Sequence, residues 1–233
     1  MSGPRPLPVG LRLTGRRCVV VGAGPVGRRR VGRLLDAGAQ VVLVAPDAVH
    51  ELVALAADGA IEWRQRDVEP DDVAGAVLVV AATGVPAVDD AVSGAARAAG
   101  ALVNRVDDAG AGDVDLTAEV RRGPLSIAVS TGGEAPAVSA WAASLIDATL
   151  DDSLGLDDAG VALLVEVVAE VRAERAAAAP TAAPTTTTTA GAPPVTAGLP
   201  DWRSALDRTM LDLISRGRKA QAKERLQACL SSS

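Results

Sequence analysis

The 233-residue sequence predicts an α/β fold: a doubly wound parallel sheet, then a small β-hairpin and dimerisation region, then a helical carboxyl-terminal region. Three observations predict it. A β-branched run, Cys18-Val19-Val20-Val21, feeds the glycine turn Gly22-Ala23-Gly24-Pro25-Val26-Gly27 and then a helical pattern with Val31, Leu34 and Leu35 on one face. Strand and helix signals go on alternating as far as Val106, the mark of a parallel sheet covered on both faces. Beyond that, two strand-like runs are separated by a short glycine-containing segment, a hairpin spacing rather than a crossover.

The first strand, turn and helix carry the strongest signal. Gly22 suits the tight turn, Gly24 lets backbone N–H groups approach a pyrophosphate, and Gly27 lets helix and strand pack closely. Pro25 fits a first helical turn, where its missing N–H is not needed. The helix ends at Gly38 and the strand Val41–Val44 follows, completing a βαβ unit of Rossmann-like type that predicts a bound dinucleotide. The carboxylate that usually grips the ribose after the second strand is replaced by Ala45-Pro46, so the residues do not choose between NAD and NADP. Asp47 fits either the ribose or the N-cap of the helix carrying Val49, Leu52, Val53 and Ala56; the cap is favoured. Arg28, Arg29 and Arg30 read as a solvated helix face.

Ile61 and Trp63 mark a third strand, Val77–Val80 a fourth, Pro86–Ala99 a helix and Leu102–Val106 a fifth strand. Thr83 and the segment Asn104–Asp107 then stand at the carboxyl edge of the sheet, where ligands of such folds collect. Leu116–Val120 and Leu125–Val129, separated by Arg121-Arg122-Gly123-Pro124, are read as the hairpin. Helices are expected from Pro136 to Leu150 and from Asp157 to Arg175, the second burying Val161, Leu164, Val165 and Val168. Two short helices with Leu206, Met210, Leu213 and Ile214, and with Leu226 and Leu230, close the chain. The expected divisions are 1–113, dinucleotide binding; 114–150, dimerisation and substrate; 151–175, helical; 176–198, a disordered Ala/Pro/Thr linker; and 199–233, a helical tail.

Composition excludes several classes. A net charge of −6 and the absence of Phe and Tyr leave no basic face with interleaved aromatics for nucleic acid. Cys18 and Cys229 have neither metal-ligand nor disulfide-framework spacing, and His50 alone cannot build a histidine metal site or triad. No apolar run suits a membrane span or signal peptide, so a cytoplasmic protein is expected.

The ordered set Leu11-x-Leu13-x-Gly15, Gly22-x-Gly24-Pro25-Val26, Arg29-Arg30, Ala45-Pro46, Ala81-Ala82-Thr83, Val103-Asn104-x-Val106-Asp107-Asp108 and Ser130-Thr131-Gly132-Gly133-x-x-Pro136 resembles the precorrin-2 dehydrogenase family, clearly over residues 7–150. The resemblance implies a homodimer that oxidises precorrin-2 to sirohydrochlorin with NAD, in sirohaem or cobalamin synthesis. Ferrous iron is a further substrate in bifunctional members. It places the catalytic aspartate at Asp107 and cofactor contacts at Pro25, Val26, Ala45 and Pro46, which join those expected from the turn itself, Gly22 and Gly24, and from the sheet edge, Thr83 and Asn104. Without the resemblance, Asp107-Asp108 reads as a turn before Gly110 and Gly112. A desolvated Asp107 is expected to have a raised pKa and to act as general acid or base.

The carboxylate-rimmed tetrapyrrole calls for local positive charge, for which Arg105, Arg121 and Arg122 are candidates, with backbone N–H groups from Ser130, Thr131 and Gly132. No resident metal site is expected, Asp107 serving at most as a transient iron ligand. The sequence departs from the resembled pattern at Gly84-Val85, Val114, Thr117 and the arginine-free helix after Pro136, which bears on substrate affinity and chelation. Two other readings fit the glycine turn: a non-catalytic dinucleotide-sensing module and a dehydrogenase of another small molecule.

Overall fold

The computed structural model describes residues 6–178 and 205–231, which divide into two compact units. The first comprises the described residues up to Ala118 together with Ser130–Ser139. Its sheet has five parallel strands in the order β3-β2-β1-β4-β5: β1 Arg17–Val21, β2 Gln40–Val44, β3 Glu62–Arg64, β4 Leu78–Ala81 and β5 Leu102–Arg105. The strand order reverses at β1, so a crevice opens beyond the carboxyl ends of β1 and β4.

Alternation along the strands explains the two-sided packing. Cys18, Val20, Val41, Leu43, Leu78 and Val80 face one core with Val31 and Leu34 of α1 (Pro25–Asp36) and Leu52 of α2 (His50–Ala57). Val19, Val21, Val42, Val44, Val79 and Val103 face another core with Val92 and Ala96 of α3 (Pro86–Ala98). Burial pushes the Cys18 thiol pKa up, the condition of an unreactive core cysteine. The edge at β5 is covered by its own continuation, for the N–H groups of Asp113 and Val114 both reach the Val103 carbonyl, at 2.7 and 3.1 Å.

In the second unit, β6 (Ala118–Arg122) and β7 (Leu125–Val129) form the hairpin. Arg121 and Arg122 belong to the strand, so the turn is only Gly123-Pro124, tighter than the four residues read from the sequence. Gly123 has φ +52°, and a Cβ there would press within 2.6 Å of the Asp158 carbonyl oxygen. α4 runs Pro136–Leu154 and α5 Asp158–Ala178, so residues 176–178 extend a helix where a linker was expected; the rest of that expected linker, 179–198, lies outside the described residues. α6 (Arg208–Ser215) and α7 (Lys219–Ser231) bury Met210, Ile214, Ala222, Leu226 and Leu230 against Val161, Val167 and Val171. Of the expected stripe on α5, Val161 is buried and Leu164 and Val168 are partly buried against this core, but Val165 is 45% exposed; Val167 and Val171, not expected there, are fully buried. Among the described residues, no helix is long and apolar enough to cross a membrane.

Candidate functional site

Every strand of the sheet is parallel, so the glycine turn after β1, Ala45-Pro46 after β2, Thr83 after β4 and Asp107 after β5 share one edge. Gly22 has φ +102°, and any Cβ on it would strike the Ala82 carbonyl. A Cβ on Gly27 would strike the Gly22 carbonyl, so this glycine serves helix packing. Gly24 differs, since a Cβ there meets nothing within 4 Å: its backbone faces open space. Gly24 is the N-cap of α1 without a side-chain cap, and Pro25 and Val26 open the helix, leaving a start suited to an anion.

The loop after β2 is tied to this turn by the Val49 N–H, which donates to the Ala23 carbonyl at 3.1 Å. α2 starts only at His50, with Val49 at the N-cap and no side-chain cap, which corrects the expectation that Asp47 caps it. Ala45 is buried and its carbonyl accepts from the Trp63 indole N–H at 3.0 Å. Arg30, expected on a solvated face, is half-buried, and burial, with Arg33 and Arg29 nearby, pulls its pKa down. Arg28 faces Glu51 at 3.7 Å on the surface.

Thr83 is held by a residue that the sequence reading passed over. The buried Asp89 accepts from the Thr83 hydroxyl at 2.8 Å and from its backbone N–H at 3.2 Å, fastening the end of β4 to the first turns of α3. An acidic residue soon after a Thr and a helix-starting Pro86 was the available signal, read only as helix. Asn104 is buried on β5; its amide donates to the Val114 carbonyl at 2.8 Å, while its Oδ1 has no partner among the described residues. An open glycine backbone, an uncapped helix start and a buried carbonyl oxygen without a donor at one sheet edge together fit a dinucleotide bearing a carboxamide.

The turn predicted around Asp107-Asp108 belongs to Asp108 alone, whose carboxylate accepts from Gly110 N–H at 2.9 Å and caps a 3₁₀ turn, Ala109–Ala111. Asp107 instead meets Arg105: Nε donates to Oδ1 at 2.9 Å and Nη2 to Oδ2 at 2.8 Å. This corrects two expectations. The Arg105 guanidinium holds the Asp107 carboxyl below the usual carboxylate range rather than above it, because charge pairing outweighs desolvation. Arg105, expected as open positive charge, is itself buried, and its third contact, Nη1 to Asp90 at 2.6 Å, pairs it with a second carboxylate of the chain.

The other expected substrate groups have local tasks. Thr131 Oγ1 accepts from the Ala135 N–H at 3.0 Å at the start of α4 and lies 3.2 Å from Ser139 Oγ. Ser130 Oγ accepts from the Gly132 N–H at 3.0 Å. Arg121 pairs with Glu119 at 2.9 Å and Arg122 with Asp147 at 2.7 Å, both within the second unit.

Residues 9–118 match a family model described as "Putative NAD(P)-binding", and residues 122–141 match one described as "Sirohaem biosynthesis protein central". Siroheme synthase 3 of Aeromonas hydrophila subsp. hydrophila is 38% identical over 149 residues, 64% of this chain and 32% of that protein. The chain is a relative of the sirohaem synthases. That of Chromobacterium violaceum is 33% identical over 220 residues, 94% of this chain and 43% of its own length. The chain thus spans less than half of the sirohaem synthases it resembles. Among solved structures, SirC, a precorrin-2 dehydrogenase, aligns with a TM-score of 0.58 at 23% identity over 96% of this chain and 98% of that one. This last likeness establishes a shared fold, and the nicotinamide-dinucleotide binding of the first unit follows from the family match.

Proposed function

We propose that the chain catalyses the NAD-dependent oxidation of precorrin-2 to sirohydrochlorin. The observation that carries this reading is the placement of an open dinucleotide turn and an ionised carboxylate, Asp107, at one edge of one parallel sheet. β1 and β5 are two strands apart, about 10 Å, a distance that a cofactor extending from the turn can cross. The relatedness to sirohaem synthases supports the choice of substrate. In the reaction a substrate C–H bond breaks with its electron pair passing to NAD as hydride, giving NADH, and one proton is released.

Gly24, Pro25 and Val26 would hold the pyrophosphate, Ala45 and Pro46 would border the adenosine side, and Thr83 and Asn104 would lie toward the nicotinamide. Asp107, one third exposed and ionised, is oriented to receive the proton or to balance positive charge that develops on the macrocycle. Ferrous iron, where it is inserted, would enter as a substrate met by Asp107. Homodimerisation is part of the proposal, supported by Trp141 and Leu145 of α4, which are 63% and 49% exposed.

The test is incubation of the protein with enzymatically generated precorrin-2 and NAD, without metal, following NADH and sirohydrochlorin absorbance together. Joint appearance in wild type, and loss in Asp107→Ala with dinucleotide binding retained, is the expected result. Intact precorrin-2 in the presence of folded, NAD-bound protein would refute the reading in favour of a sensor or another substrate. Sedimentation at working concentration tests the dimer, which Trp141→Asp is expected to weaken.

A further inference from the structure

We propose that Arg105 is a positioning residue of this site: clamped from behind by Asp90 of α3, it fixes the plane of the Asp107 carboxylate through two parallel hydrogen bonds. The inference rests on Asp107 being the reacting carboxylate, and it assigns Arg105 a task other than binding substrate.

The geometry carries it. Arg105 is the last residue of β5 and Asp107 lies in the bend that follows, which brings its carboxylate back against the Arg105 guanidinium. Val103, two residues earlier, lies in the core shared with α3, and Arg105 accordingly reaches Asp90 of that helix. The Arg105 side chain is 5% exposed, that of Asp107 33% and that of Asp90 71%. An arginine this buried is costly unless its donors are satisfied, and each of its three nitrogens is matched to a carboxylate oxygen. Removing it would leave the Asp107 carboxylate without its counter-charge. A two-point fork sets both the position and the rotation of a carboxylate, which a lysine ammonium, acting as a point charge, cannot do.

The full chain can test this with Arg105→Lys, Arg105→Ala and Asp107→Asn. Arg105→Lys is expected to lower kcat for precorrin-2 oxidation by about 10- to 100-fold, because a carboxylate displaced by a fraction of an ångström loses its alignment. KM for NAD and precorrin-2 should stay within about twofold, since neither is bound by Arg105. Free guanidinium ion should restore part of the turnover of Arg105→Ala. Independently of activity, ¹⁵N-arginine NMR should show the Arg105 Nε–H protected and shifted in wild type, and released in Asp107→Asn.

Wild-type kcat in Arg105→Lys beside an inactive Asp107→Asn would overturn the clamp while leaving Asp107 in place, as would a loss confined to KM. Full activity in Asp107→Asn would overturn the assignment beneath it. Should Arg105→Ala fail to fold, the lysine variant still carries the kinetic test, and the NMR comparison requires no change at Arg105.

Discussion

The indole N–H of Trp63 on β3 donates to the Ala45 carbonyl at the end of β2, at 3.0 Å. This bond fixes the backbone at the place where a ribose-gripping carboxylate is missing. Trp63→Phe keeps most of the apolar contact and removes the donor, leaving the Ala45 carbonyl unpaired. The expected cost is about 1 kcal/mol of stability, with weaker NAD binding and little change in kcat. Thermal unfolding and calorimetric titration of NAD measure the two effects, and an unchanged NAD affinity would remove this bond from the cofactor site.

The glycines of the turn separate fold from binding. Gly24→Ala places a methyl in open space and should leave stability within about 0.5 kcal/mol of wild type, while weakening NAD binding by crowding the pyrophosphate. Gly22→Ala meets the Ala82 carbonyl from a φ of +102° and should destabilise the whole unit. Circular dichroism melts with NAD titration distinguish these outcomes; equal NAD affinity in Gly24→Ala and wild type would place the phosphate elsewhere.

The sheet was legible because its pattern is local: Val19, Val20 and Val21 alternate between two cores, and Gly22 is needed by its own dihedral angle. Asp107 could be placed at the right edge, since parallel strands end together. Its electrostatics could not, because the sign of its shift depends on where Arg105 points, and Arg105 read equally well as a ligand for substrate carboxylates. Asp47 misled because capping depends on where the helix starts, and the Val49 N–H is already bound to the loop after β1. The stripe on α5 was right at Val161, Leu164 and Val168 but took Val165 in place of Val167 and Val171, because the partners that cover it, α6 and α7, come from far along the chain. Asp89 went unnoticed because its partner, Thr83, becomes its neighbour only when the loop after β4 closes.

The second unit depends on the buried face of α5. Leu226 is fully buried against it, and Leu226→Ala should cost about 2–5 kcal/mol, whereas Val165→Ser, at a half-exposed position, should cost less than about 1. Denaturant unfolding of the two variants checks this. A larger loss in Val165→Ser than in Leu226→Ala would mean that Val165 belongs to the buried face of α5.

Acid stability should report Asp72, a buried carboxylate that accepts from Arg66 at 2.7 and 2.8 Å, from Arg64 at 2.7 Å and from the Glu69 N–H at 2.8 Å. Arg66 first, then the Glu69 N–H and Arg64, hold its pKa below the usual carboxylate range. Because the folded-state value lies below the unfolded one, its contribution is fully present above the ordinary aspartate pKa of about 3.9 and is lost as pH falls through the folded value. Asp72→Asn keeps the shape but leaves the Arg64 and Arg66 guanidiniums without their shared anion, so stability at neutral pH should fall by about 3 kcal/mol. Asp107, Glu170, Glu174 and Asp207 are also shifted down and remain in both proteins, so each will show an acid limb of its own. The difference between the two curves isolates Asp72: it should be constant from neutrality to about pH 5 and narrow below about pH 4. Urea unfolding at stepped pH measures it, and a difference that stays constant through the acid range would show that Asp72 is not a charged partner of Arg64 and Arg66.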